Sequence, residues 1–347
     1  MITVPVPVLG WDVGGANTKV ARVDGRCATP ATIEHPFALW RDRQRLPSVL
    51  VQLADRIGRA DVMAVTMTAE LADCFATKRE GVAFVVDAFE TAFPGTALWI
   101  YGVDGRFRSA TEARERPYDV AAANWMATAV VVARSNTDAL LIDVGSTTAD
   151  IIPIIDGRVG VAGWTDSARL RSGELVYTGC LRTPVCAIVQ WLPFESARCR
   201  VAAEHFAIAA DAHCWLGQIA PDDYTCDTPD GRGRTRSESG ARLARMVCAD
   251  ADALGEEAIT EIAAEVARAQ TRQIGHAIRQ VLRRLDGARP AIALLAGSGA
   301  FLGKAAAEAN GLTARHLAEE LGAEAARAAP AAAVAWLISE LMDVDTP

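Results

Sequence analysis

The sequence predicts an α/β protein of two domains, and three observations carry that prediction. The chain has 347 residues, long for one core and suited to two. Stretches with strand spacing alternate with stretches of helical spacing along most of its length. One hairpin is also written twice. Val8–Arg26 reads VLGWDVGGANTKVARVDGR, and Leu140–Arg158 reads LLIDVGSTTADIIPIIDGR. Each has an apolar run, Asp-Val-Gly, a small polar loop, a second apolar run and Asp-Gly-Arg. From Asp12 to Gly25 is 13 positions, from Asp143 to Gly157 is 14, and the two aspartates lie 131 positions apart.

The elements follow in order. Val6–Asp12 and Lys19–Val23 read as strands around a glycine turn. Arg45–Ile57 carries Leu46, Val49, Leu50, Leu53 and Ile57 at helical spacing. Val62–Met67 reads as a strand, Val82–Phe93 as a helix, Ala97–Tyr101 as a strand, and the apolar, alanine-rich Asp119–Ala133 as a buried helix. Arg134–Asp138 (RSNTD) is a polar break and the expected domain boundary. The second half opens with the strand Ala139–Asp143. Gly163–Asp250, rich in Trp, Cys, His, Arg and Pro, reads as an elaborated insertion. Ile259–Leu285 reads as a long amphipathic helix, Ala291–Leu295 as a strand, and AGSGAFLG (296–303) as a glycine loop. The tail to Met342 is helical, with Pro330 supplying a fixed φ at a first turn.

Composition excludes several classes. The net charge of −8 leaves no basic patch to neutralise phosphates, so nucleic acid is not an expected partner. The apolar runs fall short of the roughly 20 residues of a membrane span. The N-terminal MITVPVPVLGWD lacks a basic leader region and a cleavage signal, and the expectation is a cytoplasmic protein. The cysteines are Cys27, Cys74, Cys180, Cys186, Cys199, Cys214, Cys226 and Cys248. None forms a Cys-x-x-Cys pair. His205, His213 and Cys214 are close enough in sequence to be considered as metal ligands, but scattered reduced thiols are the favoured reading.

The repeated hairpin has a chemical reading. A strand ending in Asp delivers a carboxylate, and the glycines after it let backbone N–H groups approach an anion. Thr18, Thr147 and Thr148 add hydroxyls and Lys19 a positive charge. Two such hairpins suit a polyphosphate, with Asp12 and Asp143 holding its divalent cation directly or through water. Neither loop is a G-x-G-x-x-G opening a helix, which counts against a dinucleotide fold.

DVGGANTK, DVGSTTAD and LLAGSGAFLG resemble the two phosphate motifs and the adenosine motif of the actin/sugar-kinase/Hsp70 superfamily, in matching order across nearly the whole chain. The resemblance implies two ribonuclease-H-like domains flanking a phosphate-binding cleft, each opening with its own hairpin. The first domain would hold 1–137 and a tail helix from about 326. The second would hold 138–325, with an insertion at about 163–250 and the glycine loop at 296–303. More narrowly the chain resembles the hydantoinase/oxoprolinase-like branch, and within it the proteins linked to the tetrahydromethanopterin one-carbon pathway, including the methanofuran-biosynthesis (furan-2-yl)methanamine synthases. TMTAELADCFATKREGV (66–82), GELVYTGCLRTPV (173–185), EHFAIAADAHCWLG (204–217), DTPDGRGRT (227–235) and RLARMVCAD (242–250) carry that narrower likeness.

The resemblance implies a transferase: a furanylmethyl diphosphate loses pyrophosphate and a phenol oxygen, of tyramine or tyrosine, takes its place. It implies Mg2+ or another hard divalent cation at Asp12 and Asp143. Gly14, Gly15, Asn17, Thr18, Lys19, Gly145, Ser146, Thr147 and Thr148 would contact the diphosphate. Gly297, Ser298 and Gly299 would lie where kinases hold adenosine. Asp150 is either a supporting group behind these or a solvated carboxylate. Candidates for the general base that takes the phenol proton are Glu70, Glu174, Asp211 and His213. On a helix, Asp211 and His213 would face apart. Tyr177 and Arg182 are substrate candidates. Arg232, Arg234 and Arg236 read as a basic loop, mobile and facing either solvent or the acceptor's carboxylates. A kinase or ATPase using ATP or ADP, and a nucleotide-binding regulator without turnover, stand as alternatives. The oligomeric state is open, with a homodimer as one option.

Overall fold

The computed structural model describes residues 6–25, 29–285, 287 and 290–344. Arg26 of the first hairpin motif, Cys27, the first five residues of the N-terminal stretch and the last three of the tail lie outside the described residues. The chain divides into two compact units, one of Met1–Thr137, Ile154–Ala168 and Leu317–Pro347, the other of Asp138–Pro153 and Arg169–His316. The segment 154–168, expected in the second domain, groups with the first. The return of the chain begins at Leu317 rather than near 326.

The first unit is built on six strands: β1 (Val8–Val13), β2 (Asn17–Val23), β3 (Ala31–Pro36), β4 (Val62–Met67), β5 (Ala97–Tyr101) and β6 (Phe107–Ser109), in the order β3-β2-β1-β4-β5-β6. β2 runs antiparallel to both β1 and β3, β4 and β5 run parallel to β1, and β6 reverses at the edge. Side-chain alternation divides this sheet cleanly. Trp11, Val13, Val20, Val65 and Met67 point into a core with Leu46, Leu50 and Leu53 of the helix Leu46–Ile57 and Val82, Val86 and Phe89 of the helix Lys78–Ala92. The other face is covered by the alanine-rich tail helix Ala329–Val344, which packs on β1, β2 and the helix Asn124–Ala133. There Ala21 meets Ala331 and Ala332.

The pattern repeats after residue 138 with β7 (Ala139–Val144), β8 (Ala149–Ile155), β10 (Leu175–Val176), β11 (Trp191–Phe194), β12 (Ala197–Arg200), β13 (Ile292–Ala296) and β14 (Thr313–His316), while the end of β8 and the short β9 (Arg158–Val159) fall in the segment that groups with the first unit. The sheet has the order β10-β8-β7-β13-β14, with β13 parallel to β7 and β14 parallel to β13; β9 pairs with Ile154 and Ile155 at the end of β8. The central strand of each sheet therefore has a hairpin partner on one side and parallel strands on the other. This is an α/β fold of two units with related sheets, each built on one copy of the repeated hairpin.

Several elements differ from the sequence reading. The helix expected from Asp119 starts at Asn124, because a 3-10 turn at Pro117–Asp119 occupies the chain before it. The long helix runs from Ala251 to Arg284, with a break at Gly255, where φ is 76°. The stretch read as an insertion has a core of its own, in which Val185, Leu192, Ala212, Trp215 and Leu243 pack against Ile262 and Val266 of the long helix. Among the described residues no helix is long and apolar enough to cross a membrane.

Candidate functional site

The two repeated turns are closed by the same hydrogen bond. Gly14 N–H donates to Asn17 O at 2.9 Å, and Gly145 N–H donates to Thr148 O at 2.9 Å. The carbonyls of both loops are then taken by a following segment. Leu39 and Phe37 donate to Gly15 O and Ala16 O, both at 2.9 Å; Cys180 donates to Gly145 O at 3.0 Å; Leu181 and Arg182 donate to Ser146 O at 3.1 and 2.9 Å. Among the described residues, the N–H groups of Gly15, Ala16, Ser146 and Thr147 donate to no carbonyl. A loop whose carbonyls are occupied and whose amides are open is suited to an anion.

In the first unit, the register of the sheet decides which side chains go with this loop. Asp12 pairs with Lys19 and with Thr66, so the three share a face; Lys19 in turn pairs with Glu34. Thr18 pairs with Val13 and lies on the opposite, core-facing side. Its side chain is fully buried and its hydroxyl has no partner. The expectation that Thr18 contacts a diphosphate is therefore corrected. Lys19 is also placed differently from expectation. Its ammonium donates to Arg327 O at 3.3 Å and pairs with Glu34 at 3.7 Å.

Asp12 is only 8% exposed, and its Oδ1 accepts no hydrogen bond. Burial pushes its carboxyl up to about 6, against the pull of Lys19. A buried carboxylate oxygen without a donor is costly unless a cation or proton reaches it, so Asp12 fits a hard cation. Among the described residues, no group of three His, Cys, Asp or Glu could hold a metal ion.

In the second unit three loops meet. Gly299 N–H donates to Val144 O at 2.8 Å, and the Sγ of Cys180 lies 3.1 Å from the Oγ of Ser298. Gly297 has φ of 80°, and a Cβ there would meet Asp143 Oδ1 and Val144 O at 2.3 Å. A Cβ on Gly179 would lie 2.4 Å from Thr147 N. The loops at 145–148, 179–182 and 297–299 thus lie backbone against backbone. The sequence reading named the first and last of these. In the middle one the sequence marks Arg182 but carries no signal at Gly179 or Cys180. Burial raises the Cys180 thiol to about 11, so it is an inert, neutral wall.

The four candidates for a general base differ sharply. Glu174 is buried and fully engaged: Ser172 Oγ donates to it at 2.9 Å and Arg284 pairs with its other oxygen. Asp211 is buried with Arg242, which lies at 2.8 Å, while Tyr224 OH donates to it at 3.0 Å and Ile208 N–H at 2.9 Å. His213 is fully buried, with Nδ1 2.7 Å from Gln218 Oε1 and Nε2 2.8 Å from Gln270 Oε1. Burial lowers its pKa below the usual imidazole range. Glu174, Asp211 and His213 therefore act in structural networks, which corrects their candidacy as bases. Both ring nitrogens of His213 being taken also removes it as a metal ligand. Gln270 passes the second network on, donating to Thr178 Oγ1 at 2.9 Å and Gly179 O at 2.8 Å, directly beneath the second phosphate-type loop. Glu70 is the exception. It is 1% exposed, neither carboxylate oxygen makes a hydrogen bond of normal geometry, and burial pushes its pKa up to about 7.

The remaining candidates lie as follows. Asp150 pairs with the buried Arg169 at 2.8 Å. Tyr177 is 55% exposed. Arg182 is held by its backbone bond to Ser146. Arg232 and Arg234 are exposed. Arg236 begins the helix Arg236–Arg245, stacks over Trp215 and pairs with Glu256 at 3.3 Å. The loop before it is tied by the Thr235–Glu238 capping box and by Thr228 Oγ1 donating to Arg232 O at 2.7 Å, which corrects the expectation of a mobile loop. The seven described cysteines are free thiols.

The family model for hydantoinase/oxoprolinase matches residues 61–340, most of the chain. The chain belongs to the hydantoinase/oxoprolinase family. Within reach of this family member is a Methanocaldococcus jannaschii protein named (4-{4-[2-(gamma-L-glutamylamino)ethyl]phenoxymethyl}furan-2-yl)methanamine synthase, 40% identical over 260 residues that cover 74% of this chain and 76% of the relative. A Methanococcus vannielii protein of the same name is 39% identical over 126 residues, covering 36% of this chain and 56% of that relative. Among solved structures, a nucleotide-free acetone carboxylase, titled for ATP-dependent acetone carboxylation, aligns with a TM-score of 0.51 at 12% identity, covering 89% of this chain and 68% of its own. At that identity the likeness is one of fold.

Proposed function

We propose that this hydantoinase/oxoprolinase family member is a synthase of a methanofuran- or methylofuran-type cofactor precursor. It would join an aminomethyl-bearing furanylmethyl diphosphate to the phenol oxygen of a tyramine or tyrosine acceptor, in free or glutamyl form. The observation that carries the reading is the 40% identity, over about three quarters of both chains, to a relative whose name describes such a phenoxymethylfuran product. The open amides of the two repeated loops support the diphosphate half of it, and the unpartnered carboxylate of Glu70 supports the proton-accepting half.

In this reading the bond between the furanylmethyl carbon and the diphosphate oxygen breaks, and pyrophosphate leaves with the electron pair. The phenol oxygen forms the new C–O bond, and its proton passes to Glu70. The N–H groups at Gly15, Ala16, Ser146 and Thr147 are assigned to diphosphate oxygens, where negative charge grows as the bond breaks. Asp12 and Asp143 are each assigned to a hard divalent cation, magnesium by preference, which when bound would neutralise the leaving diphosphate. Arg232 and Arg234 are assigned to acceptor carboxylates. The furan ring can share positive charge at its CH2, so exclusion of water matters as much as activation of the phenol.

The test is ligand identity. Magnesium with pyrophosphate should raise the melting temperature, and magnesium with ATP should not. Stabilisation by ATP with release of phosphate would replace this reading with a kinase or ATPase.

A further inference from the structure

Glu70 sits in the 3-10 turn Ala69–Leu71 that follows β4. Its carboxylate is fully buried. Lys78 Nζ lies 3.8 Å from Oε1, and the same ammonium lies 2.5 Å from Asp166 Oδ2. The Glu70 side chain is 0% exposed, whereas Lys78 and Asp166 are partly exposed, at 23% and 21%. Lys78 begins the helix that packs on the turn, and Asp166 begins the helix Asp166–Ser172. All three residues belong to the first unit.

No other charged group described on the packed elements competes for Glu70. Glu80 of the same helix is turned to Arg43 at 3.1 Å and to Ala76 N–H at 2.9 Å. Asp119 is turned to Arg108 and Arg116 at 3.1 and 3.0 Å. The N–H groups of Glu70 itself and of Ala122 favour the ionised form without making regular hydrogen bonds to it. Ala122 is held at φ of 52°, a strained conformation for alanine.

A carboxylate with both oxygens unpartnered and buried calls for an explanation. Ordinary structural carboxylates in this chain, such as Glu174 and Asp211, have theirs fully engaged. Glu70 instead has one cation at ion-pair distance, and that cation is held more closely by a second acid. We propose that Lys78, anchored by Asp166, is the positioning residue of Glu70: it keeps the buried carboxylate charged enough to accept a proton while leaving its oxygens free of hydrogen bonds. This rests on the assignment of Glu70 as proton acceptor and adds the pair that controls it.

The arrangement makes two removals act in opposite directions. Burial raises the Glu70 carboxyl, Lys78 lowers it, and Asp166 raises it. Lys78→Met removes the largest of the influences that oppose burial. Asp166→Asn leaves the Lys78 charge undivided and free to close on Glu70. A packing role would not produce opposite signs.

The experiment is a titration of Glu70 by 13C NMR of protein labelled at the glutamate carboxyls, with Glu70→Gln identifying the signal. The wild-type midpoint is expected near 7. Lys78→Met should raise it by about one pH unit or more, Asp166→Asn should lower it, and Lys78→Arg should restore it. The acid limb of the ether-forming rate should move with the same signs. Unmoved midpoints, or shifts of one sign in both variants, would overturn the proposal. Because the titration is read on the protein alone, a blank ether assay overturns the reaction and leaves the Lys78 pair standing. An unmoved titration overturns the pair whatever the ether assay gives.

Discussion

Asp12→Asn should stabilise the free protein and weaken its ligand binding at once. Asp12 lies at the end of β1 with Oδ1 unpartnered, and burial raises its carboxyl from 3.8 to about 6. That rise corresponds to roughly 3 kcal/mol, at about 1.4 kcal/mol per pH unit. The sign follows from the direction. Below 3.8 the carboxyl is neutral in both folded and unfolded chains, and the stability associated with it is fully present. As pH rises through about 6 the buried group ionises and that stability is lost. Asparagine does not ionise, so the variant's advantage should grow between these values and level off above them. Urea unfolding of both proteins from about pH 4.5 to about pH 8 measures it. The same variant should lose most of the thermal stabilisation that magnesium with pyrophosphate gives the parent, since a neutral amide is a poor substitute for a carboxylate at a hard cation. A stability difference that does not change with pH would refute the burial argument. Full retention of the magnesium–pyrophosphate effect would remove Asp12 from the ligand site.

Asp211→Ala leaves Arg242 with Asp230 alone as its carboxylate partner and takes the acceptor from the buried Tyr224 OH and from Ile208 N–H, and equilibrium unfolding should register a loss of about 2–4 kcal/mol. Gly297→Ala places a methyl 2.3 Å from Asp143 Oδ1 and Val144 O at a backbone φ of 80°. It should cost about 1–3 kcal/mol of stability, and calorimetry should find weaker pyrophosphate binding. Neutralising Arg232 and Arg234 together should raise the acceptor KM more than it lowers kcat, and the effect should vanish for a neutral phenol; identical kinetics with both acceptors would return the two arginines to a solvated role.

Much of the fold was legible because its signals are local. The Asp-Val-Gly copies at 12–14 and 143–145 became hairpins closed by matching Gly-to-carbonyl bonds, and each ends the central strand of its sheet. The strands Val62–Met67 and Ala97–Tyr101 were bounded correctly by their apolar runs. The site was less legible because its decisive partners are distant in sequence. Nothing near Glu174 announces Arg284, and nothing near Asp211 announces Arg242, yet those two arginines make both carboxylates structural. Lys78 follows Glu70 closely, but Asp166 reaches it from the far side of the second hairpin motif. Thr18 was misplaced for a different reason. Its position two residues before Val20 puts it on the core-facing side of β2, and the strand period, applied to the residues next to the turn, would have found this. Gly179 carried no signal beyond its small size, since its value is to let one backbone lie against another 33 positions earlier, around Ser146.

The most direct test incubates the protein with magnesium, a synthetic aminomethyl-bearing furanylmethyl diphosphate and tyramine, tyrosine or a γ-glutamyl derivative, following the aryl ether by mass spectrometry and pyrophosphate by a coupled assay. The account predicts ether and pyrophosphate in equal amounts, dependent on the metal and strongly reduced in Glu70→Gln. Hydrolysis of the diphosphate with no ether from any of these phenols, or turnover of ATP in its place, would contradict it.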